Sequence, residues 1–344
     1  MKVLVTGATG YLGAVAAEAL AMRGHEVLGL ARSERSASAL RVRDIEPVMG
    51  DFGDPVSLGN AVREARPDVV VSTASVGGAG GDQAVFARDG DAVGAIREAI
   101  TDHGGALVFT SGSAVFGVFN GGDATDTVYD EEAGLPLPAS VFAPASAGVH
   151  PLLAAGFGEA MAARVETERA VLADGDVRGV VVRPGLVYGR AGNSDLRSLI
   201  DRARTEGRAG HWGRGGTTQS YVHVEDLAEL FCLAAEIAPH GAILHGVTAD
   251  VTQRELARAI NRMIGTDEHT DSLSLTQMLG IDADTVGNIG ASFTPPPSAA
   301  SGISLSLNKR LSSDKTRKLL DWSPKRTDVG DDIAFGSYAH QHGG

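Results

Sequence analysis

The sequence is poor in groups on which whole classes of protein depend. It contains one cysteine, Cys232, so no internal disulfide can form and a reducing, cytoplasmic setting is expected. Lysine is absent from residue 3 to residue 308; only Lys2, Lys309, Lys315, Lys318 and Lys325 carry an ammonium group. No apolar run approaches the roughly 18 residues of a membrane-spanning helix, so no membrane partner is expected. The chain passes from a strand-like Met-Lys-Val-Leu-Val straight into glycines, an opening from which no secretory signal is expected. Positive charge is scarce as well. Thirty Lys and Arg face 43 Asp and Glu, and the net charge of −13 repels phosphate backbones, which argues against nucleic acid as a partner.

What is present is enough for a sizeable core: 344 residues, 43% of them hydrophobic, with 45 glycines that follow no three-residue period and therefore mark turns rather than collagen. In the first half, short Val- and Leu-rich runs alternate with helix-like stretches, as in a parallel sheet with crossover helices. The runs are Lys2–Val5, Glu26–Leu30, Val69–Ser72, Ala106–Thr110 and Gly179–Arg183. The first helix carries Leu12, Val15, Ala16, Ala19 and Leu20 on one face and stops near Gly24. The expected fold is α/β: a Rossmann-type doubly wound parallel sheet over residues 1–185, intertwined with a smaller, mostly helical substrate lobe over 186–344. In that lobe Thr252 and Glu255 form a capping-box signature before a helix that ends at Gly265. Val224–Ala235 reads as another helix, Ala242–Val247 as a strand, and Ser313–Leu320 as a final helix; residues 266–308 show no period.

Thr6-Gly7-Ala8-Thr9-Gly10-Tyr11-Leu12-Gly13 places a glycine-rich turn between a strand and a helix. Glycines there let the backbone approach a pyrophosphate, while the helix N-terminus supplies free N–H groups and positive potential. About 20 residues on, where an NAD site usually carries an acid, stand Arg32 and Ser33, with Arg35 nearby; a guanidinium suits a 2′-phosphate and favours NADP over NAD. Glu34 is the neighbour that opposes this reading.

The TGxxGxxG spacing resembles the short-chain dehydrogenase/reductase superfamily, and later landmarks narrow the resemblance to its extended, epimerase/dehydratase-like members. Gly50-Asp51-Phe52 is similar to the strip that contacts adenine, although an ordinary turn Asp reads the same way. Val70 to Ser75 resembles the fourth strand, whose end, Thr73, Ala74 and Ser75, lines the cofactor. Thr110 to Gly117 resembles the catalytic-serine segment, with Gly112 at the serine position between Ser111 and Ser113. Arg183-Pro184-Gly185-Leu186-Val187-Tyr188-Gly189 resembles the stretch that passes the nicotinamide, and Tyr221 to Asp226 a later HVxD segment. The resemblance implies an NADP-dependent oxidoreductase acting on a carbonyl or hydroxyl of a small organic molecule. A redox-neutral epimerase, lyase or cyclase and a non-catalytic NAD(P)-binding regulator are the alternatives. Relatives often dimerise through helices after the fourth and fifth strands, but Arg97–Ile100 and Met161–Leu172 show no decisive apolar stripe, so a homodimer stays open.

The chain departs from the superfamily at the Tyr-x-x-x-Lys motif. None of its five tyrosines has lysine four residues later; Ala160 stands where tyrosine belongs and Arg164 where lysine belongs. Arg164 could still bind ribose hydroxyls. Ser111 or Ser113 could polarise a carbonyl, or both could be turn residues. Tyr188, near the nicotinamide by analogy, is a further candidate, with a core aromatic as its other reading; so are Tyr129 and His150, otherwise packing or solvated residues, in an inserted loop of about 118–160 that also holds Asp130, Glu131, Glu132 and Phe142. His211, Trp212 and His223 lack metal-site spacing, so no metal is expected.

Overall fold

The computed structural model describes residues 1–76, 83–135, 151–279 and 302–340. Strand and helix alternate from the start: β1 (Lys2–Thr6), α1 (Tyr11–Met22), β2 (Glu26–Ala31), α2 (Glu34–Arg41), β3 (Glu46–Met49), α3 (Pro55–Ala65), β4 (Val69–Ser72), α4 (Gln83–Thr101) and β5 (Ala106–Thr110). A 3-10 turn at Ser113–Phe116 leads to β6 (Val118–Phe119), then α5 (Pro151–Leu172), β7 (Arg178–Pro184) and β8 (Leu186–Tyr188). Next come α6 (Ser194–Glu206), β9 (Gly210–Trp212), β10 (Thr218–His223), α7 (Val224–Ile237), β11 (Ala242–Gly246), β12 (Ala249–Thr252) and α8 (Gln253–Ile264). The described chain closes with β13 (Asp271–Leu273), α9 (Leu275–Leu279), β14 (Leu307–Asn308), α10 (Asp314–Leu320), α11 (Val329–Phe335) and α12 (Ser337–His340).

Seven parallel strands form the main sheet in the order β11-β7-β5-β4-β1-β2-β3. Side chains alternate across it: Val3 and Val5 face a core filled from α1 and α7, while Leu4 faces one filled from α3, α4 and α5. The chain leaves β1 toward β2 on one side and reaches β4 on the other, so a crevice opens at the C-terminal ends of these strands. α7 and β11 return from the second half of the chain to complete the sheet and its helical cover.

The rest of the second half surrounds a three-stranded sheet, β12-β10-β8, with α6, α8 and α11 packed into its core. α8 begins at the Thr252–Glu255 capping box and ends at Gly265, whose φ of +77° is the left-handed stop. The helix expected to be last, α10, is followed by α11, capped by Asp328, and by α12. β13 and β14 lie in the stretch without a period, because strands of two or three residues pair with distant partners and leave no repeat. α5 begins at Pro151, inside the interval expected to be loop. Residues 118–135 are tied down by β6–β14 pairing and by a bridge from Tyr129 to Leu311.

Candidate active site

A cleft of about 560 Å³ lies where β1, β2 and β4 end. Of the residues expected to bind cofactor, Gly7, Thr9, Gly10, Tyr11, Leu12, Gly13, Arg32, Asp51, Phe52, Thr73, Ala74 and Ser75 line it. The turn is built by close approach: Gly7 has φ +73°, and the Gly10 N–H donates to the Gly7 carbonyl at 2.8 Å. No side chain caps α1 and no acid occupies its first turn, so its N–H groups and positive end face the cleft. These features fit a bound pyrophosphate. Thr6 is buried behind the turn instead of lining it: its hydroxyl donates to Ser72 at 3.3 Å, and its carbonyl accepts from the Thr73 hydroxyl at 2.7 Å.

Arg32 stands on the cleft wall at the end of β2. Ser33 does not; its hydroxyl caps α2 by accepting from the Ser36 N–H at 3.3 Å, and Ser36 lines the cleft in its place. Glu34 pairs with Arg41 one face along α2, and that guanidinium holds its carboxyl below the usual range. Asp51 Oδ1 accepts from the Gly53 N–H at 2.9 Å, shaping the bend beside Phe52.

Behind the cleft lies a charged pair that no local spacing announces. Asp89, 3% exposed, accepts from the Ser75 hydroxyl and from the Val76 N–H, each at 2.7 Å. Its Oδ2 is 3.8 Å from Arg164 Nη2, and Arg164 Nη1 donates to the Thr110 carbonyl at 3.1 Å. The guanidinium also lies 4.2 Å from the Phe86 ring centre. Burial raises the Asp89 pKa and lowers that of Arg164, and each is opposed by the charge of the other. Ser75, Asp89, Arg164 and Thr110 thus join the ends of β4 and β5. Beside them the Thr110 and Ser111 hydroxyls are buried without a hydrogen-bond partner among the described residues, a costly state that a ligand's acceptor or donor would relieve. Ser113 is also buried, at the start of the 3-10 turn.

Ala160 is 2% exposed and packs in the cluster of Phe86, Phe116 and Met161. Tyr129 stacks on Phe116 with centroids 4.7 Å apart. Phe142 and His150 lie outside the described residues. Tyr188 requires correction as a catalytic candidate: its side chain is fully buried and its hydroxyl donates to the Arg326 carbonyl at 2.8 Å, so it is a core aromatic. Pro184, Gly185, Leu186 and Val187 are not on the cleft wall. A Cβ on Gly185 would stand 2.3 Å from the Ser220 carbonyl oxygen, so its glycine serves strand packing. Val187 joins Tyr11 and Leu12 in a small cluster below the turn. His211 and His223 serve the fold: His211 Nδ1 lies 2.7 Å from the Asp271 carbonyl, and His223 Nδ1 accepts from the Glu225 N–H at 3.2 Å.

Residues 3–245 match the model of the NAD dependent epimerase/dehydratase family. The chain is 27% identical over 340 residues to an uncharacterized protein of Schizosaccharomyces pombe, C2A9.02, covering 98% of this chain and 100% of that one. It is 28% identical over 255 residues to the 2-alkyl-3-oxoalkanoate reductase of Stenotrophomonas maltophilia, covering 72% of this chain and 68% of the reductase. Among solved structures, the UDP-glucose 4-epimerase of Thermus thermophilus in complex with NAD superposes with a TM-score of 0.68 at 21% identity over 100% of both chains, a likeness of fold.

Proposed function

The chain belongs to the NAD dependent epimerase/dehydratase family, and from that premise we propose that it is an NADP-dependent oxidoreductase acting on a carbonyl or hydroxyl group of a small organic molecule. Membership and the reductases among its relatives make it an NAD(P)-dependent enzyme. The preference for NADP rests on Arg32, which lines the cleft while Glu34 is drawn to Arg41. A guanidinium there attracts a 2′-phosphate, whereas a carboxylate would repel it. The reductive direction is supported by the 3-oxo substrate in the name of the Stenotrophomonas relative.

A reduced dinucleotide held by the glycine turn and Arg32 would supply the hydride. Ser111 offers its unpartnered hydroxyl to the carbonyl oxygen, and Arg164, held by Asp89 and the Thr110 carbonyl, takes the ribose-binding place of the missing lysine. Ala160 can move no proton, so the acid is another group or a water. A positioned acid contributes about 10²–10⁴ in rate, and correct alignment of the reactants contributes more, so its displacement slows hydride transfer without abolishing it.

The test is NADPH oxidation with a panel of small aliphatic and aromatic ketones and 3-oxo acids. At least one carbonyl compound should consume NADPH, and Ser111→Ala should lower its kcat roughly a hundredfold to a thousandfold. NADPH that binds but is consumed with none of them would instead support the non-catalytic regulator.

A further inference from the structure

Arg88 is a second guanidinium on the cleft wall, and its place follows from its neighbour. Asp89 is buried against the end of β4, bonded to Ser75 and Val76, which fixes α4 beside the cleft. One residue earlier, about 100° around the helix, Arg88 emerges where the cleft opens. Its Nη2 lies 3.5 Å from the Gly53 carbonyl, against the bend that carries Asp51 and Phe52.

The cleft that Arg88 shares with Arg32 offers two kinds of surface. Leu30, Phe52 and Val76 present apolar surface, and the Asp51 carboxylate supplies one polar edge. That combination suits a flat heteroaromatic ring with amino and ring-nitrogen groups on its rim. A guanidinium plane is itself well matched to the face of such a ring. Given the reading of the cleft as a dinucleotide site, on which this step rests, we propose that Arg88 is a cofactor-binding residue whose guanidinium stacks on the adenine ring. Arg32 reads the 2′-phosphate; Arg88 holds the base whether or not that phosphate is present.

Two fragments separate these roles: 5′-AMP, and 2′,5′-ADP, which adds the 2′-phosphate. Both are titrated calorimetrically into the full chain as wild type, Arg88→Ala, Arg88→Lys and Arg32→Ala, with thermal melting to verify that each variant folds. Arg88→Ala should weaken both fragments by the same factor, roughly fivefold to tenfold. Arg88→Lys, which keeps the charge but loses the flat face, should weaken them nearly as much. Arg32→Ala should weaken 2′,5′-ADP alone. Unchanged affinities in Arg88→Ala, a loss confined to 2′,5′-ADP, or full rescue by lysine would each overturn the stacking role. A wild-type chain that binds neither fragment would overturn the dinucleotide reading itself, and the role of Arg88 with it.

Discussion

Gly13 lies so close to Gly7 that a Cβ on Gly13 would stand 2.2 Å from the Gly7 carbonyl oxygen. This contact packs the first turn of α1 directly onto the bend and aims the uncapped N–H groups of the helix into the cleft. Position 13 therefore requires the absence of a side chain, although its backbone has an ordinary conformation.

Gly13→Ala should displace the bend. Affinity for NADPH is expected to fall more than tenfold, with a loss of about 1–3 kcal/mol in stability, as for other overpacked sites. Calorimetric titration together with thermal melting checks both. An alanine variant with undiminished affinity would show that the bend does not hold the pyrophosphate.

Arg183 and Glu168 form a buried ion pair, 3% and 2% exposed, with Nη2 and Oε2 2.6 Å apart and Nε shared between both carboxylate oxygens. Glu168→Gln leaves the guanidinium without its counter-charge inside the protein. Denaturant titration should register a loss on the order of 3–5 kcal/mol. A loss below about 1 kcal/mol would mean that water reaches Arg183.

His245 provides the pH dependence. It is fully buried, with Nδ1 2.9 Å from the Ser312 carbonyl and Nε2 unpartnered among the described residues; burial pulls its pKa down to about 4, opposed by the Ser312 hydrogen bond, with Arg183 acting in the same direction as burial and Glu168 and Asp130 against it. In the unfolded chain the ring takes up its proton near pH 6.5. Between about 6.5 and about 4 the unfolded state therefore binds more protons, and stability should fall as pH drops through that window, by up to about 3 kcal/mol from this group. His245→Asn, compared with wild type by urea unfolding at pH 7 and pH 4.5, should show a flatter dependence. An unchanged slope would assign the acid sensitivity elsewhere.

The parts of the fold legible in the sequence are those set by local chemistry. β1, β2, β4, β5 and β7 are short, doubly covered and drawn largely from Val and Leu, and each agrees with its apolar run to within a residue at either end. The glycine turn and the Thr252–Glu255 capping box carry their own geometry in their spacing. β6, β13 and β14 could not be read, because their partners are far away in the chain and too short to impose alternation. Asp89 escaped notice for a related reason: a lone acid in a helix resembles a solvated one, and only the folded chain brings Ser75, Val76 and Arg164 around it. Tyr188 had two readings in the sequence, and the folded chain selects the core aromatic. It follows a stretch expected to pass the nicotinamide, but on β8 it faces the core, and its hydroxyl is spent on the Arg326 carbonyl.

The central claim is that a guanidinium at the end of β2 recognises a third phosphate. Calorimetric titration of NADPH and NADH against wild type and Arg32→Ala tests it most directly. Wild type should bind NADPH at least tenfold more tightly than NADH, a preference that the alanine variant loses through weaker NADPH binding while its affinity for NADH is unchanged. Equal affinities in the wild type, or a preference for NADPH that survives in Arg32→Ala, would contradict the account.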